Sequence, residues 1–235
     1  MIRRIAVVRI PAILFCALLA ALPTCGVAAP FTVRLGLEKI ALDALPGFTD
    51  TMDLASPRLL DLAATLTSPS NRVLLFALTD ADLRRFQNGD PADKKRRYVM
   101  AVTPKELERE RVGGDLFKSF VSASLRDLGK AEQVADLPKF LESRPIGVPN
   151  LLTEPKEAPA SVSLMQATRL PPLPGERIFD RSTPQYLVFT TTFVLLRGKT
   201  LILTIYTLFY EPADIDWLTF SSQRWVDDLQ RLNAR

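Results

Sequence analysis

Carboxyl groups are the side chains in this sequence best suited to catalysis, because the chain has no histidine and only two cysteines. Ser–His–Asp and Cys–His catalysis are therefore excluded, as is a zinc site that uses histidine. Four acids, Asp180, Glu211, Asp214 and Asp216, could provide the carboxyl pair that glycosidases need. All four are predicted at strand ends or at a helix start, where an acidic residue ordinarily caps backbone N–H groups. A carboxylate-dependent hydrolase stays open as an alternative to a non-catalytic function.

A second group of acids could bind calcium or magnesium, which prefer oxygen ligands: Glu106, Glu108, Glu110 and Asp115. Basic residues alternate with these acids over Lys105–Arg111, and the spacing of a calcium-binding loop is absent. Alternating charges favour salt bridges on a solvated helical turn, so we expect no metal site here.

The other residues that could support covalent or phosphate chemistry stand in isolation. Lys118-Ser119 and Lys199 do not belong to a Ser-x-x-Lys motif. Gly113-Gly114 is not followed by the Gly-Lys-Ser/Thr of a phosphate-binding loop. We therefore assign no catalytic residue, no metal ligand and no cofactor, and a non-enzymatic role is favoured.

Two further groups could contact a partner. The bases of Lys94–Arg97 could dock on anionic lipid headgroups, but Asp90 and Asp93 lie close by and favour a solvated loop. Five aromatic residues could line a cavity for an apolar ligand between sheet and helix, although packing in the core is the more common role of such a set: Phe189, Phe193, Tyr206, Phe209 and Tyr210.

The N-terminus has the pattern of a secretory signal peptide over residues 1–28. Three arginines, Arg3, Arg4 and Arg9, precede an apolar run over Ile10–Leu22, and small residues follow it. We expect cleavage near residue 28 and export to the periplasm or the medium. A retained membrane anchor is one alternative, and a lipoprotein anchored through Cys25 is another.

Removing this leader changes how the composition is interpreted. The chain has 30 basic and 26 acidic residues, and removal of the three leader arginines leaves 27 against 26. The mature chain is therefore nearly neutral, which predicts that nucleic acid is not its partner. Both cysteines, Cys16 and Cys25, are lost with the leader, so the mature chain is expected to have no disulfide.

The elements that would position these side chains follow from periodicity and turn chemistry. Two apolar runs on either side of Arg197-Gly198-Lys199 predict a hairpin over Thr190–Tyr210, whose second strand is apolar on both faces and should be central in its sheet. Strands are also predicted within 31–42, 72–78 and 98–102, and helices from Ser56-Pro57, Thr79, Thr103-Pro104, Asp115 and Asp214 or Asp216.

Residues 145–175 are rich in proline and are expected to form an excursion with only a short strand at Val162–Thr168. Strands at both ends and helices between them predict an α+β fold over residues 29–235, in one domain. We expect an antiparallel sheet with a C-terminal hairpin and flanking amphipathic helices.

The opening strand, ending in Leu45-Pro46-Gly47-Phe48, resembles the start of PsbP-like domains, which include exported bacterial proteins of the DcrB type. The closing order of hairpin, acidic loop at Glu211–Asp216 and amphipathic helix is similar to theirs as well. The resemblance implies an α+β module that binds rather than catalyses. We therefore expect an exported accessory or binding protein of the bacterial cell envelope, whose partner is an envelope protein or an apolar ligand.

Overall fold

The computed structural model describes residues 30–90, 95–132, 134–171 and 185–234. The helices in these ranges are α1 (Pro57–Thr65), α2 (Asp80–Asn88), α3 (Gly114–Leu125), α4 (Leu137–Glu142) and α5 (Ala213–Asn233). The strands are β1 (Phe31–Leu35), β2 (Glu38–Leu42), β3 (Phe48–Asp50), β4 (Asn71–Thr79), β5 (Arg97–Pro104), β6 (Asn150–Leu151), β7 (Lys156–Ala158), β8 (Ser161–Arg169), β9 (Tyr186–Leu196) and β10 (Lys199–Leu208).

The fold is α+β, as predicted. Strands β1 and β2 pair with each other, and the remaining strands form an antiparallel sheet in the order β3-β4-β5-β10-β9-β8-β6, with β7 also paired to β8. Helices cover both faces of this sheet. All of the pairings among these strands are antiparallel.

The predicted C-terminal hairpin is confirmed at the centre of this sheet. Arg197 and Gly198 both have positive φ, 51° and 75°, and the turn places Lys199 opposite Leu196. Consecutive positive φ values match the right-handed twist of the strands, which explains the glycine at this position. Strand β10 pairs with β5 on one side and β9 on the other, and it is buried on both faces.

One face of the sheet is covered by α5 and the β1–β2 hairpin. Trp225 of α5 is 2% exposed, and its Nε1 donates a hydrogen bond to the carbonyl of Asp43 at 2.8 Å. Burial of an indole of about 200 Å² contributes about 5 kcal/mol of transfer free energy. At the end of α5, Asn233 accepts from the N–H of Ala41 and donates to its carbonyl, both at 2.9 Å. The side chain of Asn233 thereby bonds both backbone groups of Ala41 in β2, as the backbone of a neighbouring strand would.

The opposite face carries α1 and α2 over β4 and β5, and α3 over β8 and β9. Leu59, Phe76, Met100 and Tyr206 belong to the first of these apolar clusters, and Phe193 with Phe117 to the second. Tyr206 Oη donates to the carbonyl of Leu66 at 2.9 Å, which ties the chain after α1 to the central strand. This face is therefore covered by two separate groups of helices, α1 with α2 and α3 alone.

Some predicted boundaries are wrong. Thr103-Pro104 does not begin a helix: β5 continues through Pro104, which pairs with Asn71, and Thr103 Oγ1 donates to the carbonyl of Thr200 at 3.0 Å. Helix α3 begins after Gly113 rather than at Asp115, and Ser56 precedes α1 without a side-chain capping bond. Tertiary pairing overrides the local cap-then-proline signal in the first case.

The proline-rich stretch is more ordered than predicted. The strand expected at Val162–Thr168 extends over nine residues as β8, and it pairs with β9 along its whole length. The chain before it forms the short strands β6 and β7, although no regular structure was expected beside the prolines. Residues 172–175 lie outside the described residues.

Candidate functional site

A cleft of about 370 Å³ lies where α1 and α2 meet β4 and β5; we refer to it as the α1–α2 cleft. Its apolar walls are Leu59 and Leu62 of α1, Leu78 of β4 and Phe86 of α2. Its polar lining consists of Arg58, Asp82, Asp90, Arg96 and Tyr98. Apolar walls with a few polar groups are typical of a site for a small molecule or for a single side chain of a partner.

The turn from β4 into α2 sets the position of Asp82. Thr79 ends the strand and is the N-cap of the helix, and its Oγ1 accepts from the N–H of Asp82 at 3.1 Å. In return, Asp82 Oδ2 accepts from Thr79 Oγ1 at 2.8 Å. Gly89 ends the helix with φ 76°, as the sequence predicts. The capping interaction therefore fixes one oxygen of Asp82.

That second oxygen, Asp82 Oδ1, is buried and has no hydrogen-bond partner among the described residues. Asp82 as a whole is 8% exposed. A buried acceptor without a donor costs about 1 to 3 kcal/mol, and burial shields this atom from the cleft as well as from solvent.

Tyr98 reaches the cleft from the neighbouring strand, because β5 pairs with β4 so that Tyr98 lies opposite Leu78. Burial raises the pKa of the Tyr98 hydroxyl, the nearby charge of Arg96 opposes this shift, and Asp82 adds to it. The phenol therefore stays protonated well above neutral pH and can both donate and accept a hydrogen bond.

Arg58 closes one side of the cleft. Its Cζ lies 5.3 Å from the centroid of the Phe86 ring, in a cation–π arrangement that joins α1 to α2. Arg58 and Arg96 place two positive charges around the cleft, and Asp82 and Asp90 place two negative ones. The lining is thus balanced in formal charge, which favours an uncharged or zwitterionic occupant over an ion.

The basic cluster predicted at Lys94–Arg97 does not act as one patch. Lys94 lies outside the described residues. Lys95 Nζ contacts Glu211 Oε1 at 2.6 Å, and this contact raises the lysine pKa. Arg96 lines the α1–α2 cleft, whereas Arg97 packs on Trp217 near the start of α5. Arg96 just before β5 and Arg97 at its first position thus lie on opposite faces of the sheet, which the charge count alone did not reveal.

Asp214, near the start of α5, has a structural role. Asp214 is 1% exposed, and its Oδ2 accepts from the N–H groups of Tyr210 and Glu211 at 3.0 and 3.1 Å. Its Oδ1 lies 3.2 Å from Arg97 Nη2. The carboxyl is therefore engaged on both oxygens, which leaves no geometry for acid–base catalysis. Asp216 and Glu211 are exposed, and Asp180 lies outside the described residues.

Asp214 and Asp216 do not provide the N-cap that the sequence predicts. The residue at that position is Pro212, without a side-chain capping bond, and both acids lie in the first turn of α5. Asp214 instead accepts hydrogen bonds from the backbone N–H groups of the two residues that precede Pro212. The helix and the chain that leads into it are joined through one side chain.

One acid of the β5–α3 connection forms an ion pair, but its partner is not one of the bases that alternate with the acids over Lys105–Arg111. Glu108 pairs with Arg72 of β4, and no cluster of three or more acidic side chains suited to a metal occurs among the described residues. Glu108 and Glu110 contribute through their backbone instead. Their carbonyls accept from Nζ of the buried Lys199, at 3.1 and 2.5 Å.

Lys199 therefore has a structural role. Its ammonium holds the connection 105–112 against the β9–β10 turn, together with the hydrogen bond from the N–H of Val112 to the carbonyl of Gly198 at 2.8 Å. Lys118 and Ser119 lie in α3, whereas the Lys199 ammonium bonds the carbonyls of Glu108 and Glu110. Gly113 is the N-cap of α3 and Gly114 its first residue.

The aromatic residues proposed to line one cavity are distributed over three places. Phe189 and Tyr206 pack together at 5.5 Å between centroids, and Phe193 packs against Phe120 of α3 at 6.0 Å. Phe209 packs on the other face of the sheet, and Tyr210 is 50% exposed. They are mostly core residues, and the apolar walls of the α1–α2 cleft come from other positions.

Sequence reasoning missed this cleft, although two of its residues were in view. Thr79–Asp82 was correctly interpreted as a capping sequence, and Arg96 as part of a basic run. Their convergence depends on the pairing of β4 with β5, which no local pattern contains.

No helix in the described part of the chain is both long enough and apolar enough to cross a bilayer. No protein-family model matches the chain, and no curated protein matches it. Among solved structures, it is similar to the Ran-binding protein Mog1p of Saccharomyces cerevisiae, at 9% identity and a TM-score of 0.28, over 87% of this chain and 89% of that one. A superposition this loose assigns neither fold nor function.

Proposed function

We propose that this protein is an exported, non-catalytic binding module that acts as an accessory factor in the bacterial cell envelope. The observation that supports a binding role is the α1–α2 cleft, which combines apolar walls with polar groups of balanced formal charge. An occupant that buries these walls would stabilise the folded chain.

Export is the second part of the proposal. It is supported by the leader pattern of residues 1–28, in which Arg3, Arg4 and Arg9 precede the apolar run Ile10–Leu22. Cleavage near residue 28 would release the folded region from the leader. Acylation of Cys25 would instead keep it on a membrane, and the intact mass of the exported chain distinguishes the two.

Membership of the PsbP-like group is the third part. The order of elements at both ends of the chain supports it: a strand pair followed by Leu45-Pro46-Gly47-Phe48, and a C-terminal hairpin followed by α5. Domains of that group are mostly accessory modules, which agrees with a binding role.

Crosslinking in intact cells followed by mass spectrometry of captured envelope proteins tests the proposed function. The wild-type chain is compared with Leu62→Trp, which fills the α1–α2 cleft, and with Leu232→Trp, which adds the same side chain at a position on α5 far from the cleft in the fold. We expect capture of an envelope partner or co-purification of a ligand to be lost only in Leu62→Trp. Retention of the chain in the cytoplasm, or identical capture in all three, would contradict the proposal.

A further inference from the structure

The β1–β2 turn presents an apolar side chain that the core does not use. Leu37 in this turn is 99% exposed, the highest value among the large apolar residues that the structure describes. Leu35 and Ile40 on either side of the turn are fully buried, so the hairpin itself is anchored in the core. One exposed leucine is common on protein surfaces, and the side chains around it therefore decide what it can bind.

Two other segments of the chain lie against this turn. Gly36 has φ 58°, and a Cβ at this position would lie 3.0 Å from the carbonyl oxygen of Arg109 and 3.2 Å from its Cα. From the β9–β10 turn, Arg197 Nη2 lies 3.7 Å from Glu38 Oε2. One end of the molecule therefore contains residues 34–39, 108–111 and 197–199, which we call the basic tip.

The basic tip is positively charged, although residues 29–235 as a whole have 27 basic and 26 acidic side chains. Six bases stand against three acids, which gives the tip a formal charge of +3: Arg34, Lys39, Arg109, Arg111, Arg197 and Lys199 against Glu38, Glu108 and Glu110. A local excess of this kind attracts an anionic surface over about one Debye length, or about 8 to 10 Å.

A shallow hollow of about 470 Å³ lies beside Leu37, and Arg34 and Arg109 line it. Both arginines are exposed, and neither is in an ion pair among the residues that the structure describes. Glu108, the acid in this lining, pairs with Arg72. Two guanidinium groups at one hollow suit a phosphate group, because each can bind phosphate oxygens with two parallel hydrogen bonds.

We propose that the basic tip docks on a bilayer that contains anionic phospholipid, with Leu37 at the acyl boundary and headgroup phosphates at Arg34 and Arg109. A bilayer provides negative charge directly above an apolar layer, within a depth of about 5 to 10 Å. An acidic protein segment or a nucleic acid provides the charge without that layer. The basic tip shares no lining residue with the α1–α2 cleft, so this docking is a function beyond the one proposed above.

Sedimentation with lipid vesicles tests the proposal on the purified protein. Vesicles of equimolar phosphatidylglycerol and phosphatidylcholine are compared with vesicles of phosphatidylcholine alone. We expect partition into the anionic vesicles to be stronger by about tenfold or more, and to weaken as salt is added, because salt screens the attraction between the bases and the headgroups. Partition that is equal for the two kinds of vesicle, or absent with both, would overturn the proposal.

Charge reversal locates the contact. Arg34→Glu combined with Arg109→Glu is expected to weaken partition into the anionic vesicles by about tenfold or more. Arg84→Glu combined with Lys139→Glu is the matched control: it changes the net charge equally, at exposed positions on α2 and α4, away from the β9–β10 turn. Every variant retains residues 1–28, so a contribution of that segment is common to all. Equal losses in the two double variants would count against the basic tip.

The apolar part of the contact is tested at Leu37. Leu37→Ala should weaken partition about threefold, whereas Phe220→Ala, which removes a ring that is 66% exposed on α5, should leave it unchanged. Because both side chains are exposed, neither variant should shift the midpoint of urea unfolding. Leu37→Trp reports the depth: its emission should shift to shorter wavelength with anionic vesicles and be quenched by acyl-brominated lipid. An emission that vesicles do not alter would exclude insertion.

A soluble polyanion distinguishes a membrane from an acidic macromolecule. If polyglutamate binds as tightly as the anionic vesicles, and Leu37→Ala weakens neither, the basic tip is a site for an acidic protein and the proposal is wrong. The result is also separable from the proposed function. A chain that docks on vesicles but captures no envelope partner retains this inference alone, and a chain that captures a partner but ignores vesicles retains only the proposed function.

Discussion

Arg97 of β5 lies flat against Trp217 of α5, with its Cζ 3.8 Å from the centroid of the ring, and its Nη2 reaches Asp214 Oδ1 at 3.2 Å. The Arg97 side chain thus joins the start of β5 to the first turns of α5. Trp217 in turn stacks on Phe48 at 6.3 Å, so the contact continues to β3 at the edge of the sheet.

Arg97→Ala is expected to destabilise the protein by about 2 to 4 kcal/mol, because it removes the stacking surface and leaves the buried Asp214 with fewer donors. Arg97→Lys should recover less than half of that loss, since an ammonium cannot stack as the planar guanidinium does. The midpoint of urea unfolding at constant slope measures both. Equal stability of wild type and Arg97→Ala would mean that the contact contributes nothing.

Lys199→Met should destabilise the protein by about 2 to 3 kcal/mol, because the carbonyls of Glu108 and Glu110 lose their donor in a buried setting. The effect should be local, so hydrogen exchange is expected to accelerate first in residues 105–113. Lys105→Met is the control: its Nζ donates to the carbonyl of Pro69 at an exposed position. A change of similar size in both variants would refute a special role for Lys199.

Asn233→Ala is expected to cost about 1 to 3 kcal/mol and to increase exchange at the N–H of Ala41, because both hydrogen bonds to the β2 backbone are lost. Asn233→Asp retains the acceptor and should protect that amide more than Ala does. Protection factors from NMR distinguish these cases. Unaltered protection at Ala41 in Asn233→Ala would show that the hairpin is held by packing alone.

Stability should fall between about pH 10 and pH 12 because of Tyr206. Burial raises the pKa of its hydroxyl from 10.0 to about 12 in the folded state. A group whose pKa is raised on folding holds its proton more tightly in the native state, so its contribution is complete below the unfolded pKa and is lost as pH rises towards the folded one. The total loss is about 2 to 3 kcal/mol across this window.

Tyr206→Phe is the test of this pH dependence. It should cost about 1 kcal/mol at neutral pH through the bond to the carbonyl of Leu66, and it should flatten the alkaline decline. Urea midpoints at several pH values between 8 and 11.5 give the comparison. A decline as steep in Tyr206→Phe as in wild type would assign the effect to other tyrosines, such as Tyr98, whose pKa is also raised.

The parts of the fold that could be predicted are those set by short-range chemistry. Gly198 between two apolar runs gave the β9–β10 hairpin, and Thr79 with Gly89 gave both ends of α2. In each case the signal and the structure lie within a few residues, so no knowledge of the rest of the chain was needed.

The parts that could not be predicted depend on partners far along the chain. Thr103-Pro104 resembles a helix start, yet pairing with Asn71 makes it strand. Strand β8 lies among prolines, yet pairing with β9 extends it to nine residues. The cleft follows the same rule, because Asp82 and Tyr98 meet only once Leu78 stands opposite Tyr98.

The position of β10 between β5 and β9 has a consequence for how the protein is made. The ribosome releases β5 long before it releases Lys199–Leu208, so the middle of the sheet cannot close until β10 has emerged. High contact order of this kind slows folding. The nascent chain therefore presents an unpaired edge of β5 until Lys199–Leu208 has emerged.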